Sequence, residues 1–482
     1  VKNKSLGKNA FLNGLRSVLN IIFPIITFPY VSRILSVGEL GKYNWSNSYV
    51  SYFLLIAGLG ISTYAVREGA KLRNDREEIS DFASQVFSIN LISTVASYIL
   101  LFLSIIIFPK VQGYAVCIYI FSIQIIFTTL GTEWIYSIFE EYTYITVRSI
   151  SFKILSILLL FMFVRNQGDY LSYAGITVFS AVGSNILNYL HAKKFCTIRF
   201  TFRIDWKKHL KPILVIFASS IATTIYLSLD TTLLGLINNN YVVGIYSVST
   251  KMYNIVKQLI AAVLTVTIPR FALLWGRHRY REYRKLLLQI SNVLALISIP
   301  AAVGVYMLAP QIVILLSSEK YISAVSSLRL LCPALIFSIF SWIFTSCVLI
   351  PAKRENKVLI ITVISAVVNL ALNLLLMPSL KENAAAITTS LSEVISMILG
   401  IYYSRDIVKG LYKRSFWKDI FLYTVGSLAI VIICCIGNML FDSTMIIILF
   451  DVILSIIEYA LILLGMKNKF ALDVLERIVS TQ

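Results

Sequence analysis

Six basic side chains stand inside otherwise apolar stretches of this chain: Arg16, Arg148, Lys153, Lys251, Lys257 and Arg329. An Arg or Lys at the centre of a bilayer costs about 2.5–3.5 kcal/mol even on the mildest insertion scale. Such residues persist where something negative meets them. Five acids share these stretches, namely Glu133, Asp230, Glu393, Asp451 and Glu458. Asp230 and Lys251 fall at similar depths below the outer helix ends, and Glu133 and Arg148 lie near the cytoplasmic ends, so each of these pairs could form. Arg329 is close enough to an end to snorkel. That leaves Arg16, Lys153 and Lys257 without an obvious partner, and Glu393 unmatched. Spare cations imply an anionic guest, and a phosphate-bearing lipid headgroup fits.

Polar residues accompany these charges at helical spacing. Asn9, Asn13, Arg16 and Asn20 are 4, 3 and 4 residues apart and share one helix face. Pro24 and Pro29 on the same segment remove two backbone N–H groups and permit a bend. Similar stripes run through Asn44, Ser48 and Ser51, through Ser219, Thr223, Tyr226 and Asp230, through Tyr246, Thr250, Tyr253 and Lys257, and through Ser365, Asn369 and Asn373. A single Ser or Thr in such a stripe more often joins two helices than meets a ligand. A stripe that also carries a charge points into a cavity.

The elements that position these side chains must be membrane helices. The 482 residues are 58% hydrophobic and 14% charged, with a mean hydropathy of +0.80, against roughly 25% charged in soluble domains. Apolar runs of about 20 residues fit spanning helices and not the alternating strands of a barrel. We read fourteen spans, at 10–32, 43–66, 82–108, 113–138, 142–164, 169–190, 211–237, 242–269, 286–309, 324–350, 357–377, 383–404, 417–438 and 443–465. With both termini in the cytoplasm, 31 of the 43 Lys and Arg fall inside and six outside, which supports the number and the direction. The net charge of +19 is then a property of cytoplasmic loops facing anionic headgroups. It implies no nucleic-acid partner, since no soluble domain exists to hold one. The first apolar run is too long for a signal-peptide core and is expected to remain as a span.

The chain also divides internally. "GKYNWS" (41–46) opens the second span and "GIYSVS" (244–249) opens the eighth. Six spans separate them, so the blocks enter from the same side and are parallel repeats. The expected organisation is a six-helix lobe at 1–190, an interfacial linker at 191–210, a second six-helix lobe at 211–404, and two further helices with a tail at 405–482. Alternating access between two bundles suits this plan. An enzyme does not. The three histidines, His191, His209 and His278, are dispersed in cytoplasmic connections, and no loop carries an acidic metal cluster. The longest outside loop, 310–323, is about fourteen residues, short for a membrane polymerase. The six cysteines lack CxxC spacing and read as packing residues.

The run "FPYVSRILSVGELGKYNWSNSYVSYFLLIAGLGISTYAVREGAKLR" (28–73) resembles the opening of Wzx-type polysaccharide repeat-unit flippases. These polysaccharide biosynthesis proteins belong to the multidrug/oligosaccharidyl-lipid/polysaccharide (MOP) superfamily. The likeness rests on F-P-Y-x-S-R-x-L, on the outer G-x-Y and on Arg67–Glu68. It implies a fold similar to multidrug and toxin extrusion (MATE) transporters and residence in the bacterial cytoplasmic membrane. It also implies a cargo, an oligosaccharide on undecaprenyl pyrophosphate. Under that reading Arg16, Asn13, Asn20, Asn44, Arg148, Lys153, Tyr253 and Lys257 meet pyrophosphate and sugar. The resemblance further implies ion coupling, with Asp230, Asn369, Asn373 and Thr389 as a sodium site. Glu393 is a rival as a proton carrier, and Asp230 could instead be occupied by Lys251. No other cofactor is expected. Expected partners are the lipid-linked cargo, membrane lipids and polysaccharide polymerase machinery, around a monomer. A lipid II flippase and a cation-coupled multidrug exporter are the alternatives on the same fold. An exporter of cations would want a more acidic cavity.

The orientation is directly testable. On intact cells, a thiol introduced by Asn239→Cys should react with an impermeant reagent, and one introduced by Gln482→Cys should be protected. Equal or reversed labelling would contradict the fourteen-span topology.

Overall fold

The computed structural model describes residues 22–466, 468 and 472, apart from the side chain of residue 219. Arg16, Asn13 and Asn20 lie outside the described residues. The regular elements of the described chain are all helical, and its contacts divide it into two compact units, Val1–Gly244 and Ile245–Gln482. The first unit holds α1 (Ile22–Ile34), α2 (Val37–Gly58), α3 (Ile61–Leu72), α4 (Arg76–Ile107), α5 (Pro109–Gln112), α6 (Ala115–Gly131), α7 (Glu133–Ile138), α8 (Tyr142–Phe163), α9 (Tyr170–Val182), α10 (Asn185–Ala192) and α11 (Trp206–Ile237). Helix α12 (Asn240–Gly276) begins at the boundary. The second unit continues with α13 (Tyr280–Met307), α14 (Ala309–Leu316), α15 (Ala324–Trp342), α16 (Glu355–Leu380), α17 (Glu382–Val408), α18 (Arg414–Leu440) and α19 (Thr444–Gly465). A π-helical stretch, Ile343–Leu349, prolongs α15. Among the described residues, eleven helices are long and apolar enough to cross a membrane, with α2 and α3 taken together, and α1 and α6 are shorter apolar helices. The protein is therefore an all-α, multi-span membrane protein.

Three segments expected to be continuous are broken. The 43–66 segment divides at Leu59 and Gly60, with φ of 44° and 72°. Glycine adopts this left-handed turn without strain, and a Cβ there would sit 2.6 Å from Ile216 Cγ2, so α11 packs directly on the turn. The 113–138 segment divides at Thr132, with φ of 40°, and the 169–190 segment between Val182 and Asn185. Hydropathy does not register such breaks, because the residues on both sides remain apolar. The pieces beyond the breaks, α3, α7 and α10, join α4 and the start of α8 in one core that includes Tyr64, Phe82, Val86, Trp134, Tyr136 and Ile145.

The segment 193–205 between α10 and α11 closes that core. Cys196 and Ile198 are buried in it, and no regular element forms between α10 and α11. Its N–H groups find acceptors on α4: Thr197 donates to Ser80 Oγ at 3.0 Å, Arg199 to Ser84 Oγ at 3.2 Å and Thr201 to Ser88 Oγ at 2.8 Å. Each serine passes its own proton to the carbonyl four residues back, over 2.6–2.7 Å, which leaves its oxygen free to accept. Asp205 N–H extends the series to Gln85 Oε1 at 2.9 Å. At the opposite end of α2, that helix and the start of α12 approach at glycines: a Cβ on Gly41 would lie 1.8 Å from the Asn240 carbonyl oxygen, and one on Gly244 would lie 2.1 Å from that of Val37.

Replacing Ser84 and Ser88 by Ala removes two acceptors from the linker, each worth about 0.5–1 kcal/mol at this exposed edge. Trypsin cleavage after Arg199 and Arg203 in the folded protein should then rise severalfold, as followed by mass spectrometry of the fragments. Unchanged cleavage would show that Cys196 and Ile198 hold the linker without the serines.

Candidate functional site

In the second unit the polar stripes of α12, α15, α16 and α17 form two clusters. The first centres on an ion pair. Lys257 Nζ on α12 lies 2.9 Å from Glu393 Oε1 on α17. The Lys257 ammonium also sits 5.4 Å from the centre of the Tyr253 ring one turn earlier, within cation–π range. Tyr253 donates to Ser338 Oγ on α15 at 3.3 Å, and Ser341 and Ser396 share a hydrogen bond of 2.6 Å between α15 and α17. Glu393 is 8% exposed and Lys257 23%. The expectation that these two residues lacked partners is corrected: each is the other's partner. Their 136-residue separation hid the pair. The available signal was that both were unmatched, with opposite sign.

The second cluster joins α16 and α17 through amides. Asn373 Nδ2 donates to Asn369 Oδ1 at 3.0 Å, Thr388 Oγ1 donates to Asn373 Oδ1 at 2.6 Å, and Asn369 Nδ2 reaches Thr388 Oγ1 at 3.4 Å. All three side chains are buried. Amide and hydroxyl oxygens are the ligand type a hard cation takes. Sequence reading named Thr389, whereas Thr388 closes this ring and Thr389 faces Tyr246 at 3.4 Å. Asn369 and Asn373 are one turn apart and do come together. Asp230, the remaining sodium candidate, is a buried residue of the first unit.

The other candidates belong to the first unit. Arg148 is buried and stands 5.9 Å from the Tyr144 ring centre. Lys153 Nζ lies 5.8 Å from the ring centre of Phe23 on α1. Asn44 gives its amide N–H to the Leu40 carbonyl of its own helix at 2.8 Å, so that group is engaged within the helix. Two of the histidines are held by neighbouring polar groups: His209 bridges Tyr64 at 2.7 Å and Gln85 at 3.1 Å, and His278 contacts the Tyr280 hydroxyl at 2.8 Å.

On membrane helices such buried polar clusters mark candidate pathways for a polar guest. The solved inward closed lipid II flippase MurJ superposes with a TM-score of 0.76 at 15% identity, covering 95% of this chain and 99% of that one. An inward-facing multidrug resistance MATE family transporter of the MOP superfamily gives 0.58 at 15% identity, covering 82% and 99%. The polysaccharide biosynthesis protein family matches residues 6–275, more than half of the chain, and the chain belongs to that family. The MatE family matches residues 216–375. A curated relative, "Putative O-antigen transporter" of Escherichia coli (strain K12), is 21% identical over 271 residues, which cover 56% of this chain and 65% of that protein. At 15% identity the two structural likenesses show the fold alone, a MATE-like all-α fold of many membrane-crossing helices.

The ion pair yields a stability test. Lys257→Gln alone leaves a buried carboxylate without its cation and should cost about 3–5 kcal/mol. Adding Glu393→Gln should recover most of it, as measured by thermal unfolding in detergent. Additive losses would show that the pair is not coupled.

Proposed function

We propose that the protein is a flippase that moves oligosaccharide repeat units linked to undecaprenyl pyrophosphate from the inner to the outer leaflet of the cytoplasmic membrane. The observation that carries this reading is the Lys257–Glu393 pair, set among the tyrosine and serine hydroxyls of α12, α15 and α17. An anion able to displace Glu393 gains a half-buried cation already surrounded by sugar-compatible hydroxyls. A pyrophosphate carries the charge to do so. Family membership and the O-antigen relative support the polysaccharide cargo.

The proposed topology has fourteen spans with both termini cytoplasmic: parallel lobes at 1–190 and 211–404, the linker at 191–210, and an added helix pair at 405–482. Arg16, with Asn13 and Asn20, meets the pyrophosphate first from the cytoplasm. Lys153, Arg148, Asn44, Tyr253 and Lys257 then line its route. Coupling draws either on sodium, at Asp230, Asn369, Asn373 and Thr389, or on a proton carried by Glu393. The protein works as a monomer and hands its product to polymerase machinery. A second reading, lipid II flipping, is favoured by the extent of the likeness to the lipid II flippase, 95% of this chain. The two cargoes share the lipid pyrophosphate and differ in the sugar.

Expression should restore surface polysaccharide in a bacterium lacking its own repeat-unit flippase and should not sustain one lacking its lipid II flippase. The opposite result selects the second reading. In proteoliposomes, Arg16→Ala should weaken apparent cargo affinity roughly tenfold to a hundredfold, since a charge-assisted phosphate bond is worth about 1.5–3 kcal/mol. Arg16→Lys should recover part of the loss, because a point charge replaces a planar fork. Full affinity in Arg16→Ala would remove this residue from the cavity.

A further inference from the structure

Helix α12 carries two open amides at its centre. Asn254 and Gln258 are one turn apart, and Gln258 is the middle residue of a helix of 37, about 27 Å from each end. Both side chains are exposed, and among the described residues no hydrogen bond engages either amide. Other helix amides close on the protein itself. Asn44 donates to the Leu40 carbonyl at 2.8 Å, Asn90 to the Ala57 carbonyl at 2.7 Å and Asn373 to Asn369 at 3.0 Å. An open amide facing hydrocarbon at mid-membrane depth is costly, because lipid chains offer it no hydrogen bond.

The exposed surface of α12 is divided accordingly. Leu259, Val266 and Leu273 recur every seven residues and are 56%, 81% and 49% exposed, a stripe suited to lipid chains. Asn254, Gln258 and the exposed Thr265 are 4 and 7 residues apart and form a second stripe, turned about 100° from the first. Lys257 borders this polar stripe on the side away from the aliphatic one. It is a surface neighbour of Asn254 three residues on, and its Nζ is held 2.9 Å from Glu393. The polar stripe therefore meets water or a polar guest while the aliphatic one meets lipid.

The chemistry of the amides selects the guest. Each offers two N–H donors and a carbonyl acceptor. Sugar hydroxyls both donate and accept, so they satisfy an amide in both senses, whereas a phosphate would use the donors and leave the carbonyls unmatched. Residues one turn apart have Cβ atoms about 5–6 Å apart, a spacing that one sugar ring bridges. We propose that Asn254 and Gln258 are a sugar-reading wall, hydrogen-bonded to the glycan next to a pyrophosphate that engages Lys257. This assignment rests on the flippase reading above and adds to it a surface that prefers a glycosylated lipid over the bare lipid pyrophosphate. Neutral hydrogen bonds are individually weak, so the wall discriminates without holding the cargo against release.

The test uses the full-length protein in neutral detergent, with lipid retention read by native mass spectrometry. The probes are undecaprenyl pyrophosphate and the same lipid bearing one N-acetylglucosamine. Wild-type protein should retain the glycosylated lipid over the bare one. Asn254→Ala combined with Gln258→Ala should lower that preference roughly fivefold to a hundredfold, the loss of two neutral hydrogen bonds. Val266→Ala, on the aliphatic stripe, should keep it. In lipid nanodiscs, a thiol introduced by Gln258→Cys should react with a charged, water-soluble thiosulfonate and be protected by the glycosylated lipid. One introduced by Val266→Cys should stay unreactive, with labelling read peptide by peptide. Wild-type protein that retains neither lipid contradicts the flippase reading itself. Equal retention of the two lipids by the wild type, or full preference in the double alanine variant, overturns the sugar-reading wall alone. An unreactive thiol at position 258 overturns it as well, and that measurement decides the matter even if the double variant does not fold.

Discussion

Hydrocarbon offers no hydrogen bonds, so a polar group on a membrane helix must be satisfied by the protein or by its cargo. Most of the internal chemistry of this protein is an answer to that constraint. Hydroxyls in the helices turn back on their own carbonyls, as Thr27 does to Phe23 at 3.0 Å and Ser404 to Gly400 at 2.7 Å. Amides close a ring across α16 and α17. Half-buried Lys257 takes the carboxylate of the buried Glu393. A polar residue in such a setting is either internally matched or held ready for an exchange, and the ion pair is both. It is stable at rest, and an incoming anion can compete for its cation.

Much of the helical plan was legible in the sequence because apolar run length is a direct consequence of that same constraint. Among the described residues, helices lie in segments read as spans, such as 82–108, now in α4, and 383–404, now in α17. The breaks at Gly60, Thr132 and Gly183 were not legible, since a left-handed or loosened residue between two apolar turns leaves hydropathy unchanged. The amide pair Asn369 and Asn373 was legible from its one-turn spacing. The Lys257–Glu393 pair was not, because helical periodicity reports neighbours on one helix and says nothing of a residue 136 positions away. Thr388 and Thr389 differ by one residue and so by about 100° around the helix, a distinction that only packing against α16 resolves.

The first unit shows how amphipathic ends are made from apolar helices. Each break releases a short helix, α3, α7 or α10, to turn its hydrophobic side toward the others while the parent helix keeps its lipid-facing surface. The aromatic stack of Tyr136, Tyr144 and His191 grows from that arrangement, with one ring from each released or adjoining helix. A continuous α-helix through residues 113–138 would carry Tyr136 along the axis of α6 and leave no stack to fix the imidazole.

The docking of the linker on α4 is a match between two unlike rulers. Alternate N–H groups of an extended strand recur about every 6.6 Å, while hydroxyls four residues apart on a helix recur about every 6.0 Å. The two scales slide apart by about 0.6 Å per step, as the lines of a vernier do. Three rungs can share the difference within the tolerance of a hydrogen bond, and a much longer run cannot. The series at Ser80, Ser84 and Ser88 ends there, and the next contact uses the longer reach of Gln85 to Asp205. A helix and a non-helical segment joined through alternate N–H groups form a fastener of built-in finite length, whose extent is set by geometry before any further residue is chosen.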